Sequence, residues 1–428
     1  MDMIRKARVC ILTPGQIGSN PRVVKEAQTL QEAGFDAMVI ATRMLDRIEP
    51  RDQSIMRNAP WRLRRIDLTS KWRWKARRVL QFGLRGGYMA SKAAWLADIA
   101  FSAATLPLRR AALQTPAELY IAHYPAALPA AAAAARRHGG RYAYDAEDFH
   151  LGDWSDAPSF KKERELVRAI EARHLPGCAY VTAASPGIAD AYRDAYGIER
   201  PRIILNAFPL EQAPIGSTEK GTAEPGPSVY WFSQTIGPDR GLECAVRAIG
   251  RARMKPHLYL RGSPAGGFIQ RLRAIAAEAG VMERIHILPP EAPERMERLA
   301  AGYDLGLAAE IDLVTSRKVA LTNKLFSYLL AGVPPIMSDT PAQRAFAAEA
   351  GLSDQLYPID DSAALAAVLD SFLGDPIRLA AARERAYRLG QERFNWRLES
   401  VKLLSAVSQA VGAAGPALCE ESWNLHSV

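Results

Sequence analysis

Two cations stand where helices are expected to begin. In Leu321-Thr322-Asn323-Lys324-Leu325-Phe326-Ser327-Tyr328-Leu329-Leu330-Ala331-Gly332-Val333-Pro334-Pro335-Ile336, the apolar residues Leu325, Phe326, Leu329 and Leu330 recur at helical spacing. Thr322 or Asn323 can cap this helix, and Gly332 with Pro334 and Pro335 ends it before a short strand. Lys324 then lies in the first turn, where free backbone N–H groups already carry positive charge and a lysine opposes the helix dipole. A negative ligand opposite would resolve that conflict, which makes Lys324 a candidate phosphate ligand. The alternative is an ordinary surface lysine on an amphipathic helix. Arg240 repeats the pattern before the helix expected over Leu242–Arg251.

A second group of residues sits at expected strand ends. Leu119-Tyr120-Ile121-Ala122-His123 and Arg141-Tyr142-Ala143-Tyr144-Asp145 both read as strands, so His123 and Asp145 fall where open parallel sheets place their chemistry. A strand-end histidine can equally be structural. The strand Arg8–Thr13 leads into Pro14-Gly15-Gln16-Ile17-Gly18-Ser19-Asn20, where Gly15 and Gly18 allow close backbone approach to a ligand. These glycines do not make G-x-G-x-x-G, so no nicotinamide site is expected. Asp145, Glu147, Asp148, His150 and Asp153 match no specific metal spacing and read better as a solvated acidic loop.

The elements around these residues alternate strand and helix twice. Pro21 starts a helix that Gly34 stops, and Ala37–Ala41 is the next strand. Further strands are expected over 179–184, 202–206, 229–233, 257–262, 285–288 and 304–308, with helices over 161–174, 270–279, 294–301, 361–373, 377–391 and 396–411. A chain of 428 residues exceeds one ordinary core. The Pro-, Gly-, Thr- and Glu-rich stretch before Val229 marks the boundary. The expected organisation is an N-terminal Rossmann-like domain over 1–208, a linker over 209–227, a C-terminal Rossmann-like domain over 228–395, and a final helix with a loose tail over 396–428.

Composition narrows the class. Apolar content of 48% is that of a globular protein. Cys10, Cys178, Cys244 and Cys419 are scattered without C-x-x-C, which fits a reducing compartment and no structural zinc. The charged start and the short run Val9–Leu12 do not make a signal sequence, and no apolar run reaches the length of a membrane span; the nearest, Ile99–Leu108, is cut off by Pro107 and Arg109-Arg110. The net charge of +9 favours anionic partners, but no nucleic-acid motif is present. Between Trp61 and Leu80, eight Lys and Arg face a single acid, Asp67, with Trp61, Trp72 and Trp74 interspersed. That composition suits an anionic membrane surface; a solvated helical face with its tryptophans tucked into the domain suits it equally.

Several motifs in order then carry a resemblance, from about Val9 to about Trp396. Gly15 to Arg22 resembles the N-terminal loop and first helix of one subgroup of the retaining glycosyltransferase family 4. Ala184-Ser185-Pro186-Gly187-Ile188-Ala189 resembles its S-x-x-x-A helix start, and Ile204-Leu205-Asn206 the asparagine before its linker. Asp239-Arg240-Gly241-Leu242 resembles its [KR]-G-L motif, and Asn323-Lys324-Leu325-Phe326 with Tyr328 and Ala331-Gly332-Val333-Pro334 its N-K-L-F-E-Y-L-A-A-G-x-P motif. The resemblance implies an α/β protein of the GT-B fold, two Rossmann-like β/α domains facing a central cleft. It implies a metal-independent, cofactor-free transfer from a nucleotide-sugar donor to a sugar, lipid-linked or polysaccharide acceptor, in the cytoplasm or on the inner membrane face through residues 61–80.

By the same resemblance His123, Arg240 and Lys324 are the catalytic group. Gly15, Gly18, Arg22, Asp145, Ser185, Asn206, Glu310, Asn323 and Ser327 bind substrate, and no residue binds metal. One position departs from the family. Ser327 stands where a ribose-binding glutamate is usual, and Val319 stands where its partner acid belongs, so E-x7-E is absent. Glu310 is the candidate substitute. A non-catalytic nucleotide-sugar-binding protein of the same fold is therefore the second expectation. A nucleotide-sugar epimerase or a phosphorylase is the third, the latter disfavoured by the lack of a pyridoxal-lysine context.

Overall fold

The computed structural model describes residues 6–155, 157–214 and 226–412. They form two compact units. The first comprises the described residues up to Ala184, Ile188–Ile204 and those from Ser400 onward; the second comprises Ser185–Gly187 and Leu205–Glu399. Most of the expected linker, and the tail beyond the last helix, lie outside the described residues.

The first unit is built on seven strands: β1 (Arg8–Thr13), β2 (Asp36–Arg43), β3 (Arg62–Asp67), β4 (Leu119–His123), β5 (Arg141–Ala146), β6 (Val181–Ala183) and β7 (Arg202–Ile203). They pair in parallel in the order β3-β2-β1-β4-β5-β6-β7. Strand order reverses between β1 and β4, which opens a crevice at their carboxyl ends. Central β4 is buried along its length, as a parallel strand covered on both faces requires. The strand expected over 202–206 is only two residues long. Strand β3 lies inside the basic stretch, where no strand was expected, because its arginines interrupt the apolar run; as an edge strand it tolerates them.

The second unit repeats the plan with β8 (Ser228–Ile236), β9 (His257–Pro264), β10 (Ile285–Leu288), β11 (Leu305–Ala308), β12 (Pro335–Ser338) and β13 (Leu356–Tyr357), in the order β10-β9-β8-β11-β12-β13. All pairs are again parallel, and the reversal falls between β8 and β11. Its core joins Val229 and Trp231 of β8 to Leu242 and Ile249 of the helix Leu242–Arg251 and to Leu305, Leu307 and Ile336 of the neighbouring strands. The helix Asn323–Leu330 packs so closely on β11 that a Cβ at Gly306 would lie 2.5 Å from the Tyr328 ring. Only glycine fits there.

Candidate functional site

At the crevice of the first sheet, the helix Pro21–Glu32 begins with Asn20 as cap; its side chain accepts from the Val23 N–H. That start points Arg22 inward, where it is fully buried. Arg22 grips both oxygens of Asp145, from Nε at 2.6 Å and Nη2 at 2.7 Å, and its Nη1 donates to the Ile204 carbonyl. One turn on, Glu26 lies 3.4 Å from Arg22 Nε and accepts from His123 Nε2 at 3.0 Å. His123 Nδ1 stands 3.3 Å from Asp145 Oδ2, an ion-pair distance without a hydrogen bond. Burial opposes charging His123, but Glu26 and then Asp145 outweigh it and lift its pKa to about 9. Burial works equally against ionised Asp145, and Arg22 and His123 overcome that to hold its carboxyl below the usual value. The cluster is thus two cations and two carboxylates, closed on itself.

This arrangement bears on three expectations. His123 is fully buried with its ring between two carboxylates. Arg22 and Asp145 bind each other. The acids after β5 do not form a solvated loop as a group: Asp145 is sealed, Glu147 accepts from Asn20 Nδ2 at 3.2 Å, and Asp153 pairs with His150 at 3.0 Å. The ligand atoms of Glu26, His123 and Asp145 lie within 4.8 Å of one another, a spacing a metal can use. Arg22 already supplies positive charge beside those carboxylates.

The two loop glycines part company. Gly18 gives its N–H to Asp52 Oδ1 at 2.8 Å, and a Cβ there would lie 2.8 Å from that oxygen. Its smallness serves Asp52, not a phosphate. Gly15 has no atom beyond its chain neighbours within 3.8 Å of an added Cβ and faces a cavity of about 210 Å³ shared with Ser19, Asn20 and Tyr124. Tyr124 follows β4 with φ of 68°, a left-handed conformation rare for a bulky residue. Glu147 and burial raise its hydroxyl well above 10, so it stays a proton donor.

In the second unit the crevice is cationic. After β8 the chain turns through Asp239 and Gly241, both at positive φ, and sets Arg240 ahead of Leu242–Arg251. Thr322 caps the helix Asn323–Leu330 by accepting from the Lys324 N–H, which leaves Asn323 exposed. Lys324 is buried, 3.2 Å from Glu310 Oε1 and 5.6 Å from the centre of the Trp231 ring. Arg317 reaches the other oxygen of Glu310 at 3.3 Å. Burial lowers the Lys324 pKa; Glu310 opposes this, while Arg240 and Arg317 add to it. Burial and Arg317 likewise lower that of Arg240. Three cations therefore surround one carboxylate, an excess that suits a dianion.

Two further expected site residues have protein partners. Glu310 is an anchor for Lys324 and Arg317. Ser327 is fully buried and donates to Glu297 Oε1 at 2.6 Å, so it faces the helix Met296–Ala300. Ser185 precedes the helix Pro186–Tyr196 and donates to the Val319 carbonyl at 2.6 Å. Asn206 is half-buried in the irregular segment after β7 and is engaged with protein.

Four residues of these clusters escaped the sequence reading. Glu26 was within reach, four residues after Arg22 on the same helix face. Arg317 sits in a charged stretch that offers no pattern, and Tyr124 and Glu297 carry no local signal.

The comparisons agree with this architecture. Residues 17–208 match the glycosyl transferase 4-like domain model. A D-inositol 3-phosphate glycosyltransferase of Nocardia farcinica is 29% identical over 237 residues, which is 52% of this chain and 49% of that protein; the match thus spans about half the relative's length. The Anabaena protein HepE, solved in complex with UDP and glucose, superposes with a TM-score of 0.70 at 14% identity, covering 94% of this chain and 99% of that one. The sucrose-phosphate synthase of Thermosynechococcus elongatus gives 0.69 at 14% identity, with 95% and 100% covered.

Proposed function

We propose that this chain, which has the GT-B fold and matches the glycosyl transferase 4-like domain model over residues 17–208, moves a sugar from a nucleotide-sugar donor to an acceptor hydroxyl. The observation that carries the reading is the excess of Arg240, Arg317 and Lys324 over Glu310 at the switch point of the second sheet. A departing nucleotide diphosphate develops negative charge, and fixed cations in a half-dry site stabilise it without reorganisation. Complexes of HepE with UDP and with UDP-glucose support a uridine diphosphate donor. Protein cations at the phosphates make the transfer metal-independent in this proposal. The reaction is retaining, with positioning and electrostatics carrying it in place of a protein nucleophile. The acceptor is a lipid-linked or polysaccharide sugar in glycoconjugate synthesis, met at the inner membrane face. No described helix is long and apolar enough to cross a membrane. In this proposal the acceptor occupies the Gly15–Tyr124 cavity.

A thermal-shift screen with UDP, GDP, ADP and dTDP tests the donor site. A ligand bound only by the native state at a hundredfold over its Kd adds about 2.7 kcal/mol. UDP should stabilise wild type and not Lys324→Ala, with activity surviving EDTA. Equal stabilisation of both proteins defeats the assignment.

The buried Ser327–Glu297 bond favours a second reading, a nucleotide-sugar-binding protein without turnover, because no carboxylate stands at 327 or 319. Slow hydrolysis of the bound donor separates the two: its presence supports the enzyme, and donor binding without hydrolysis or transfer supports the binding protein.

A further inference from the structure

The basic stretch builds a cavity that the donor chemistry does not use. Edge strand β3, the helix Lys71–Ser91 and the helix Thr105–Ala112 enclose about 520 Å³ lined by Arg64, Arg65, Arg77 and Arg110. No carboxylate lines it among the described residues. Arg65 is paired with Glu49 at 2.6 Å. Arg64 is held in place by neutral partners, the Ala111 carbonyl and Thr115, so its charge is not cancelled by them. Arg77 Nη1 is shielded from water with no hydrogen-bond partner. A buried, unsatisfied guanidinium N–H is costly, and an anionic oxygen in the cavity would satisfy it.

The remaining wall is apolar, with Leu80, Leu84 and Leu106 beside the arginines. A free phosphate has no use for that wall, whereas a phosphate attached to an alkyl chain uses both halves. The same helix carries an exposed apolar stripe. Trp72, Val79 and Phe82 recur at helical spacing and are 84%, 73% and 81% exposed. Lys75 stands over the Trp72 ring. Arg77, Leu80 and Leu84 occupy the adjoining face, between that stripe and the buried Gln81 and Tyr88. A lipid in a bilayer met by the stripe would thus find a cationic cavity beside it.

We propose that this cavity takes the phosphate head and upper chain of an anionic lipid, anchored by Arg64, Arg77 and Arg110. The inference rests on the membrane part of the proposed function and not on its donor chemistry. Dihexanoylphosphatidic acid, a soluble phosphate amphiphile, should bind at least about tenfold more tightly than inorganic phosphate or dihexanoylphosphatidylcholine. Arg77→Ala with Arg110→Ala should weaken it by about tenfold or more, the loss of charge-assisted contacts. Trp72→Ala with Phe82→Ala should leave that binding intact and reduce co-sedimentation with vesicles containing phosphatidic acid. Inorganic phosphate binding as well as the amphiphile would overturn the lipid assignment. Unchanged amphiphile binding in the arginine variant would overturn the site even if vesicles still bind. UDP stabilisation measured on the same variants keeps the outcomes separate: lipid binding without any nucleotide response leaves this site standing and removes the transferase reading.

Discussion

Arg22 reaches two buried carboxylates with one guanidinium, and His123 supplies the second positive charge. Arg22→Met should cost about 3–5 kcal/mol, since it leaves Asp145 and Glu26 facing each other without their main counter-charge. Arg22→Lys should not restore it, because an ammonium cannot hold both Asp145 oxygens. Chemical denaturation reads both. Ser327 gives a sharper test of its role. Ser327→Ala removes a donor to a buried carboxylate and should cost about 1–3 kcal/mol while leaving nucleotide affinity unchanged. Ser327→Glu, the family residue, would set two carboxylates together and should destabilise more. Motif order located Lys324 and Arg240 in the sequence, but what Ser327, His123 and Gly18 face depends on Glu297, Glu26 and Asp52. Those partners lie 30, 97 and 34 residues away. Side-chain type can be read locally; its partner at that range cannot.

The loop–helix junctions after β8 and before Asn323 are the elements that aim the cations. Gly241 holds φ of 67°, and a Cβ there would lie 2.9 Å from the Ala309 Cβ. Gly241→Ala should therefore cost about 1–3 kcal/mol through strain and overlap. By displacing Arg240 it should also weaken UDP stabilisation more than its effect on melting alone explains. Thr322→Ala should cost about 1 kcal/mol through the lost cap. At this scale the sequence was mostly legible. Lys161–His174, Leu242–Arg251 and Ile285–Leu288 were anticipated residue for residue, because periodicity and a Pro, Gly or cap marked their ends. Strand β3 was missed because edge position, which excuses its arginines, is a property of the sheet.

The whole molecule is expected to answer to pH through its buried histidines. His123 and His150 are both lifted from 6.5 to about 9, by Glu26 with Asp145 and by Asp153 respectively, against the opposing effect of burial. A raised histidine stabilises fully below its unfolded value and loses that contribution as pH climbs through the folded one. Thermal stability should therefore fall between pH 6.5 and about 9, and His123→Gln should flatten that decline in a melting series. The assignment of Ser400 onward to the first unit has a different consequence, one of timing. Leu403, Ala406 and Val407 are buried, and Gln409 accepts from Arg202 at 2.6 Å. The first unit thus needs residues that are made after the second. A fragment released at residue 208 should therefore stay open to protease until a peptide spanning 396–411 is added.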